Sequence, residues 1–380
     1  MNHLERMTIV VSLTLAWGLG AQQPPAEPLP VTDAAAETPA PRERVTIHGY
    51  LSQAYGRAQD YQFIGIPESG TFDYRRAALL FRADVTDDDT FVVQLAQRRL
   101  GRSPAMQVEP DVKLDWAFYE HRFTSGTSLR VGRIPSPLGI YSEIRYVGTL
   151  LPLYRAPFNF YQEGSFTSEN INGVKLMQAI APSKPWNAEV HLFGGGLRMT
   201  EAFSGRVNTA HSENVFGGQV WLNTPFEGLR LGLGGQVFDV RNSMLNVTGK
   251  DRWKTFVASL DLTRPRFRLR SEYAQIRFES IKFVAPEYYV YAGVNLTDKL
   301  VAHGQWDHGD AHSQPAGVRI EYPDLYSDWT AGLTYALRSD MVVKAEQHWI
   351  KSRLREDVPV PFATPPLSSG YFILSVSASF

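Results

Sequence analysis

Apolar and polar residues alternate one by one along most of the chain after residue 44. In the final segment, 370–380, apolar side chains occupy every second position, and serines fill three of the positions between them. Strict alternation places the two sets on opposite faces of a β-strand. In 267–273 the second face carries Arg268, Arg270 and Glu272, which are charges of both signs. The pattern therefore predicts strands with one apolar and one polar face.

Sixteen segments of this kind lie between residues 45 and 380, most of them 9–13 residues long. That length suits a tilted strand that crosses a bilayer. Seven short connections alternate with eight long ones, as an even-stranded barrel requires when both termini lie at the short-turn end. The long ones are predicted at 57–71, 100–111, 134–170, 199–211, 242–251, 280–287, 309–326 and 354–369. A soluble sandwich or propeller, the alternative, does not require this alternation. We therefore predict an all-β protein, a transmembrane antiparallel β-barrel of about sixteen strands.

Aromatic residues cluster near the predicted strand ends, where the two interfaces of a bilayer would lie. At the long-connection end these residues are Trp253, Trp306, Trp329, Trp349 and Tyr371. At the short-turn end they are Phe91, Phe123, Trp186, Trp221, Phe267 and Phe380. We expect both sets to face lipid as interfacial girdles.

The first 43 residues differ in character from the rest. Residues 1–21 join a polar start to an apolar run and end in small residues, which is typical of a secretory signal peptide; a buried N-terminal helix is the alternative. Residues 22–43 are rich in Pro and Ala, and we expect a disordered periplasmic segment. The expected organisation is thus a signal peptide (1–21), this segment (22–43) and an outer-membrane barrel (44–380).

Composition restricts the partners more than the fold. The 38 basic and 39 acidic residues leave a net charge of -1, which argues against a nucleic-acid partner. The absence of cysteine excludes disulfides, thiol catalysis and Cys-ligated zinc, and it suits export through an oxidising compartment. We expect no cofactor. The hydrophobic content of 43% looks like that of a soluble enzyme because it averages the apolar and the polar face of each strand.

Taken together, the signal peptide, the alternating strands, a long third loop and a last strand ending in Phe380 resemble the Gram-negative outer-membrane porins. The passage LRVGRIPSPLGIYSEIR at 129–145 is similar to the strand-to-loop passage of porin-like proteins. The resemblance implies a passive channel for small hydrophilic solutes or ions, in the general layout of the phosphate-selective porins. It also implies a homotrimer in the lipid of the cell outer membrane, with Phe380 as the signal read by the assembly machinery. Unlike the basic ladder of the phosphate-selective porins, the expected lumen-facing charges here are mixed in sign.

The connection 134–170 is the main candidate for a functional segment, because loops of this length are usually functional or disordered. Its leucines and aromatics make it too apolar for a solvated loop. We expect it to fold into the lumen and narrow the pore, the alternative being a contact with the rim or with a neighbouring subunit. With inward-facing wall charges, the expected constriction residues are Glu143, Arg145, Arg155, Glu163, Arg76, Arg82, Arg268, Arg270, Glu272 and Lys344. For any of the wall charges, a salt bridge that only stiffens the barrel is the competing role.

Other chemistry is less well supported. Asp307, His308, Asp310 and His312 lie within six residues and could bind a divalent cation or simply form a polar rim. No G-x-S-x-G, H-E-x-x-H or P-loop sequence occurs, and we expect no enzyme activity. A substrate-biased channel is one alternative, suggested by the aromatic loop and by Tyr289 and Tyr291 on the inward face. Another is an outer-membrane barrel enzyme, a lipid hydrolase or protease, which usually has fewer strands; a third is a rim-binding receptor or adhesin.

Overall fold

A computed structural model describes residues 44–107, 111–161, 170–203, 206–243, 249–354, 356 and 365–380. In this part of the chain, sixteen strands form one closed antiparallel barrel, in which each strand pairs with its neighbours in sequence and β1 pairs with β16. The strands are β1 (Val45–Ala58), β2 (Thr71–Asp84), β3 (Asp89–Leu100), β4 (Lys113–Arg122), β5 (Thr127–Pro135), β6 (Asn170–Ile180), β7 (Asn187–Phe203), β8 (Arg206–Asn223), β9 (Leu229–Arg241), β10 (Lys250–Thr263), β11 (Phe267–Phe278), β12 (Phe283–Asn295), β13 (Leu300–Ser313), β14 (Ile320–Arg338), β15 (Met341–Ser352) and β16 (Leu367–Ser379). The predicted fold class and strand number are confirmed.

Helical structure is minor in the described residues. It consists of one helical turn, α1 (Phe158–Tyr161), and two 3-10 turns at Pro104–Gln107 and Pro315–Gly317. None of these helices is long and apolar enough to cross a membrane. The predicted signal peptide and the Pro/Ala-rich segment fall at residues 1–43, outside the described residues.

The first and last strands close the barrel at the short-turn end. Tyr50 lies opposite Ser379 in the register of β1 and β16. One residue further, the amides of Gly49 and Phe380 each donate to the carbonyl of the other, both at 3.0 Å. Closure leaves no strand edge with unpaired N–H and C=O groups, which is what a sheet in hydrocarbon requires. Both termini of the barrel therefore lie at the short-turn end, as predicted.

The alternation of the sequence becomes an apolar outer face and a polar inner face. On β14, Leu333 is 47% exposed, whereas Asp328 and Thr330 of the other face are buried. On β15, Lys344 and Glu346 are buried, and Trp349 of the other face is 52% exposed. Exposed apolar side chains are favourable against lipid, where transfer from water gains about 25 cal/mol per Å² of apolar surface. The outer face therefore suits a bilayer, and the inner face concentrates the charges.

Three of the predicted long connections are wrong. Instead of a loop at 280–287, β12 already begins at Phe283. Instead of a loop at 199–211, β7 runs to Phe203 and β8 begins at Arg206. Instead of a loop at 309–326, β13 runs to Ser313 and β14 begins at Ile320. The extended ends of these strands lack the regular apolar alternation. Beyond the apolar band of the barrel, neither face of a strand has to be apolar. The connection at 134–170 is where it was predicted, between Pro135 and Asn170.

Three of the predicted girdle residues are wrong. Trp253, Tyr371 and Trp221 are 1%, 2% and 7% exposed and belong to the inner face. Trp253, for example, alternates with Arg252 and Lys254, which take the outer face. Position at a strand end does not fix the face of a side chain; only parity does.

The remaining girdle residues fit the prediction. Trp329 and Trp349 are more than half exposed, and the ring of Trp306 stacks on that of Trp329 at 5.4 Å. At the short-turn end the exposed rings are those of Phe91, Phe123, Trp186, Phe267 and Phe380.

The pairing of β6 with β7 provides a test of the barrel. A Cβ at Gly173 would overlap the carbonyl oxygen of Gly194 and lie 2.8 Å from the Cα of Gly195, so Gly173→Ala should push two strands apart. We expect a loss of roughly 1–3 kcal/mol, typical of overpacking. It is measured as a lower urea midpoint for the loss of the folded barrel, followed by electrophoretic mobility.

The matched control is Gly304→Ala on β13. A Cβ at Gly304 meets no atom within 4 Å, so this variant should keep the midpoint of the parent protein. Equal midpoints for the two variants would contradict the close β6–β7 contact.

Candidate functional site

The candidate site consists of the polar face of the barrel and residues 136–161, the described part of the connection after β5, which we call the bound segment. The leucines and aromatics that distinguish this segment in the sequence are buried, among them Leu138, Tyr141, Leu153 and Tyr154, each at most 1% exposed. Tyr141 packs edge-on against Tyr161 with ring centroids 5.5 Å apart. The apolar composition therefore serves packing of the segment rather than contact with solvent.

Glu272 on β11 holds the start and the end of the bound segment. Its carboxylate accepts the backbone N–H of Ile140 at 2.9 Å and the hydroxyl of Tyr161. It also accepts the hydroxyls of Ser259 at 2.6 Å and Tyr289 at 2.8 Å from neighbouring strands. Glu272 is only 1% exposed, so these four donors supply the hydrogen bonds that a buried carboxylate needs.

Two strands on another part of the barrel hold the middle of the bound segment. On β15, the Lys344 ammonium donates to the carbonyls of Leu151 at 2.6 Å and Leu153 at 3.0 Å. On β2, the Arg76 guanidinium donates to the carbonyl of Tyr154 at 3.0 Å. The backbone N–H of Tyr154 in turn donates to Glu346 of β15 at 2.5 Å.

Further contacts come from β13, β5 and β6. Asp307 of β13 accepts the backbone N–H of Asn159 at 3.2 Å and its side-chain amide at 3.0 Å. Glu143 of the segment accepts from Lys175 of β6 at 2.8 Å and from Arg130 of β5 at 3.2 Å. Six strands of the polar face, β2, β5, β6, β11, β13 and β15, thus bind the one segment through hydrogen bonds of charged side chains.

The ionisation of the segment's side chains fits these contacts. Burial alone would raise the pKa of Glu143, but the charges of Lys175 and Arg130 outweigh it and hold this pKa below its usual value. Burial, and then the neighbouring charge of Glu272, raise the pKa of Tyr161 well above its usual value. At neutral pH, Glu143 is therefore a carboxylate acceptor and Tyr161 a neutral hydroxyl donor.

A small, partly open cavity lies between residues 142–147 of the bound segment and the wall formed by β1, β3, β4 and β6. Its lining is Tyr50, Gln94, Asp115, Trp116, Ser142, Glu143, Arg145, Tyr146, Val147 and Asn170. Asp115 accepts from the amides of Gln94 at 2.9 Å and Asn170 at 3.1 Å, so its carboxylate is fixed at the cavity wall. The cavity thus combines acidic, basic, amide and aromatic groups.

The residues expected at a constriction fall into separate groups. Glu143 and Arg145 line the cavity. Arg76, Glu272 and Lys344 bind the segment itself, as described above.

The other expected constriction residues make different contacts. Arg155 donates to the hydroxyl of Tyr74. Arg270 pairs with Asp261 at 3.0 Å and lies over the ring of Tyr141. Arg82 pairs with Asp84 at 2.9 Å near the short-turn end, and Arg268 is half-buried at the same end of β11. Glu163 lies outside the described residues.

Two buried arginines at this site were not among the expected wall charges. Arg98 lies over the ring of Tyr146 at 4.1 Å and 3.6 Å from the Asp115 carboxylate, and Arg130 binds Glu120 at 2.5 Å. The sequence carried a signal for Arg98, because alternation puts it on the same face as Gln94. Alternation likewise puts Arg130 on the same face as Ser128.

The four residues considered for a divalent cation are divided between the two faces. Asp307 is 1% exposed and points to the inner face. His308, Asp310 and His312 alternate to the other face, where the His308 imidazole lies 3.3 Å from Asp310. The four therefore cannot share one ion. No group of three or more His, Cys, Asp or Glu within the described ranges is placed to hold a metal ion.

No protein-family model matches the sequence, and no curated protein sequence is detectably similar to it. Several solved structures are similar. OmpT, an outer membrane protein of Vibrio cholerae in its trimer form, gives a TM-score of 0.60 at 13% identity, over 88% of this chain and 99% of that one. The outer membrane channel DcaP of Acinetobacter baumannii gives 0.60 at 9% identity, over 88% and 97%. The anion-selective porin of Comamonas acidovorans gives 0.57 at 12% identity, over 88% and 99%. This likeness shows a shared fold.

The contacts of Glu272 predict how the bound segment is held. In Glu272→Ala, Ile140 and Tyr161 of the segment lose their buried acceptor, at a cost of about 1–3 kcal/mol for each buried donor left unpaired. We expect amide hydrogen exchange over 138–147 to become at least about tenfold faster, because the segment opens more often.

The control for this experiment is Glu213→Ala, which removes an exposed carboxylate that pairs with Arg241 at 3.0 Å on the outside of β8 and β9. This change should leave exchange over 138–147 unaltered. If Glu272→Ala also left it unaltered, the anchoring role of Glu272 would be wrong.

Proposed function

We propose that this protein is an outer-membrane channel through which small hydrophilic solutes or ions diffuse passively, and that the bound segment crosses the lumen and narrows it. The observation that carries the proposal is the attachment of this segment to six strands of the polar face. Strands β2, β6, β11 and β15 are spread around the closed sheet, with two to four strands between one and the next. A segment bound to all of them has to pass between them.

The size of the barrel supports a channel. Barrels of sixteen to eighteen strands leave an aqueous passage, whereas eight-stranded ones are filled by their own side chains. With the bound segment in place, the passage would run beside residues 142–147, where the small open cavity lies. The strand number also favours a channel over a barrel enzyme, since enzymes of that kind usually have smaller barrels.

The charges of the wall support discrimination by charge as well as by size. Arg76, Arg98, Arg130 and Lys175 are buried on β2, β3, β5 and β6. Glu272, Asp307, Asp328 and Glu346 are buried on β11, β13, β14 and β15. A solute beside the segment would therefore pass between a mostly basic and a mostly acidic wall.

We assign the expected site residues to three roles. Glu143 and Arg145 would line the constriction, and Glu163 remains a predicted member of it. Arg76, Glu272 and Lys344 would act as positioning residues that hold the segment, and Arg155 would support it through Tyr74. Arg82, Arg268 and Arg270 would set the charge of the wall towards the short-turn end.

Location and assembly are part of the same proposal. Residues 1–21 would direct export and 22–43 would lie in the periplasm, with the apolar outer face of the barrel in outer-membrane lipid. Phe380 is 71% exposed at the end of β16, where the assembly machinery could read it. A homotrimer is supported by the trimer form of the similar OmpT barrel.

The channel is tested by adding the purified full-length protein to a planar bilayer with a salt gradient. We expect an ohmic conductance that appears in groups of three equal steps, because each subunit of a trimer carries its own pore. Folded protein that gives no conductance would contradict the open channel. Single steps only would contradict the trimer but not the channel.

A further inference from the structure

Glu143 occupies a site that the barrel wall builds from two cations. Arg130 and Lys175 lie directly opposite each other in the register of β5 and β6. Both contact the same oxygen of Glu143, Lys175 at 2.8 Å and Arg130 at 3.2 Å. Like charges directly opposite on neighbouring strands repel each other, so this pair requires an anion between them.

The two cations belong to the rigid wall, whereas the carboxylate comes from the bound segment. Lys175 is 0% and Arg130 2% exposed, and a buried charge of this kind needs a partner of opposite charge. Arg130 also donates to the carboxylate of Glu120, a wall residue, at 2.5 Å. The carboxylate that the two cations share is thus the one supplied by the segment.

Glu143 also faces the passage. Its side chain is 34% exposed, in contrast to the two cations, and it lines the small cavity beside residues 142–147. A solute that passes this cavity therefore meets the Glu143 carboxylate at the edge of the cation pair. Arg145 at the same cavity adds a further cation, and the lining Asp115 carboxylate is already held by the amides of Gln94 and Asn170.

We propose that Arg130 and Lys175 form a binding site for the carboxylate group of permeating solutes, and that Glu143 fills this site when no solute is bound. The inference rests on the proposed channel function and names its substrate class as small mono- and dicarboxylates. A solute carboxylate that enters the site displaces Glu143, so the cation pair stays neutralised throughout.

Competition from Glu143 sets the strength of this site. A tethered competitor acts at an effective concentration in the millimolar range or above, and it weakens binding of a free carboxylate accordingly. Weak binding suits a channel, because a solute has to leave the site as readily as it enters. Removal of the competing charge should therefore strengthen binding of carboxylates and leave the binding of neutral solutes unchanged.

The experiment measures block of the KCl current by succinate, with full-length protein in a planar bilayer. In Glu143→Gln, we expect half-block at an about tenfold lower succinate concentration than in the parent protein. In Lys175→Gln, the block should be lost or need at least about tenfold more succinate. Succinamide, a neutral compound of similar shape, should not block any variant. Glu213→Gln on the outside of the barrel is the matched control and should behave like the parent.

The outcomes distinguish a failure of the carboxylate site from a failure of the proposed channel function. Equal half-block concentrations in the parent, Glu143→Gln and Lys175→Gln would overturn the carboxylate site while leaving the channel in place. A larger KCl current in Glu143→Gln without a change in succinate block would also overturn it, because it would show that the variant only loosens the segment. A parent protein without conductance would instead overturn the proposed function.

Discussion

Closure of the sheet is the constraint on which the rest of the structure depends. Because β1 pairs with β16, every strand has a hydrogen-bonded neighbour on both sides. The alternation of side chains then places one set on the outer face and the other on the inner face of all sixteen strands. Because the outer face is apolar, the charges of the strands are concentrated on the inner wall. Their burial there makes partners necessary, since an unpaired buried charge costs several kcal/mol.

The bound segment supplies many of these partners. Lys344 is satisfied by two of its carbonyls, Glu272 by Ile140 and Tyr161, and Asp307 by Asn159. In return, the wall positions a segment that has no regular structure beyond α1. The wall charges determine where the segment lies, and in the proposed channel the segment would determine how wide the remaining passage is. Glu143 is a segment residue that both binds the wall and lines the cavity.

The sequence predicted the barrel because a period of two repeats on every strand and is visible without any knowledge of contacts. It predicted the faces of Arg76, Glu272 and Lys344 for the same reason. It could not show that these three bind the segment, because their partners are distant in the chain: Lys344 and Leu151, for example, are 193 residues apart. The girdle assignment of Trp253 failed because it used position at a strand end in place of parity. The connection at 199–211 was misjudged because strands continue where the apolar pattern stops.

The central claim, that the bound segment lies across the lumen, is tested most directly by a cross-link in a chain that has no cysteine of its own. The hydroxyl of Thr149 in the segment donates to that of Ser379 on the inner face of β16 at 3.2 Å, so sulfurs at these two positions would lie within reach of each other. In the folded barrel, Thr149→Cys combined with Ser379→Cys should form a disulfide under mild oxidation, seen as a shifted band after denaturation without reductant. Thr149→Cys combined with Gly304→Cys on the outer face should not. Efficient folding without the first cross-link would contradict the account.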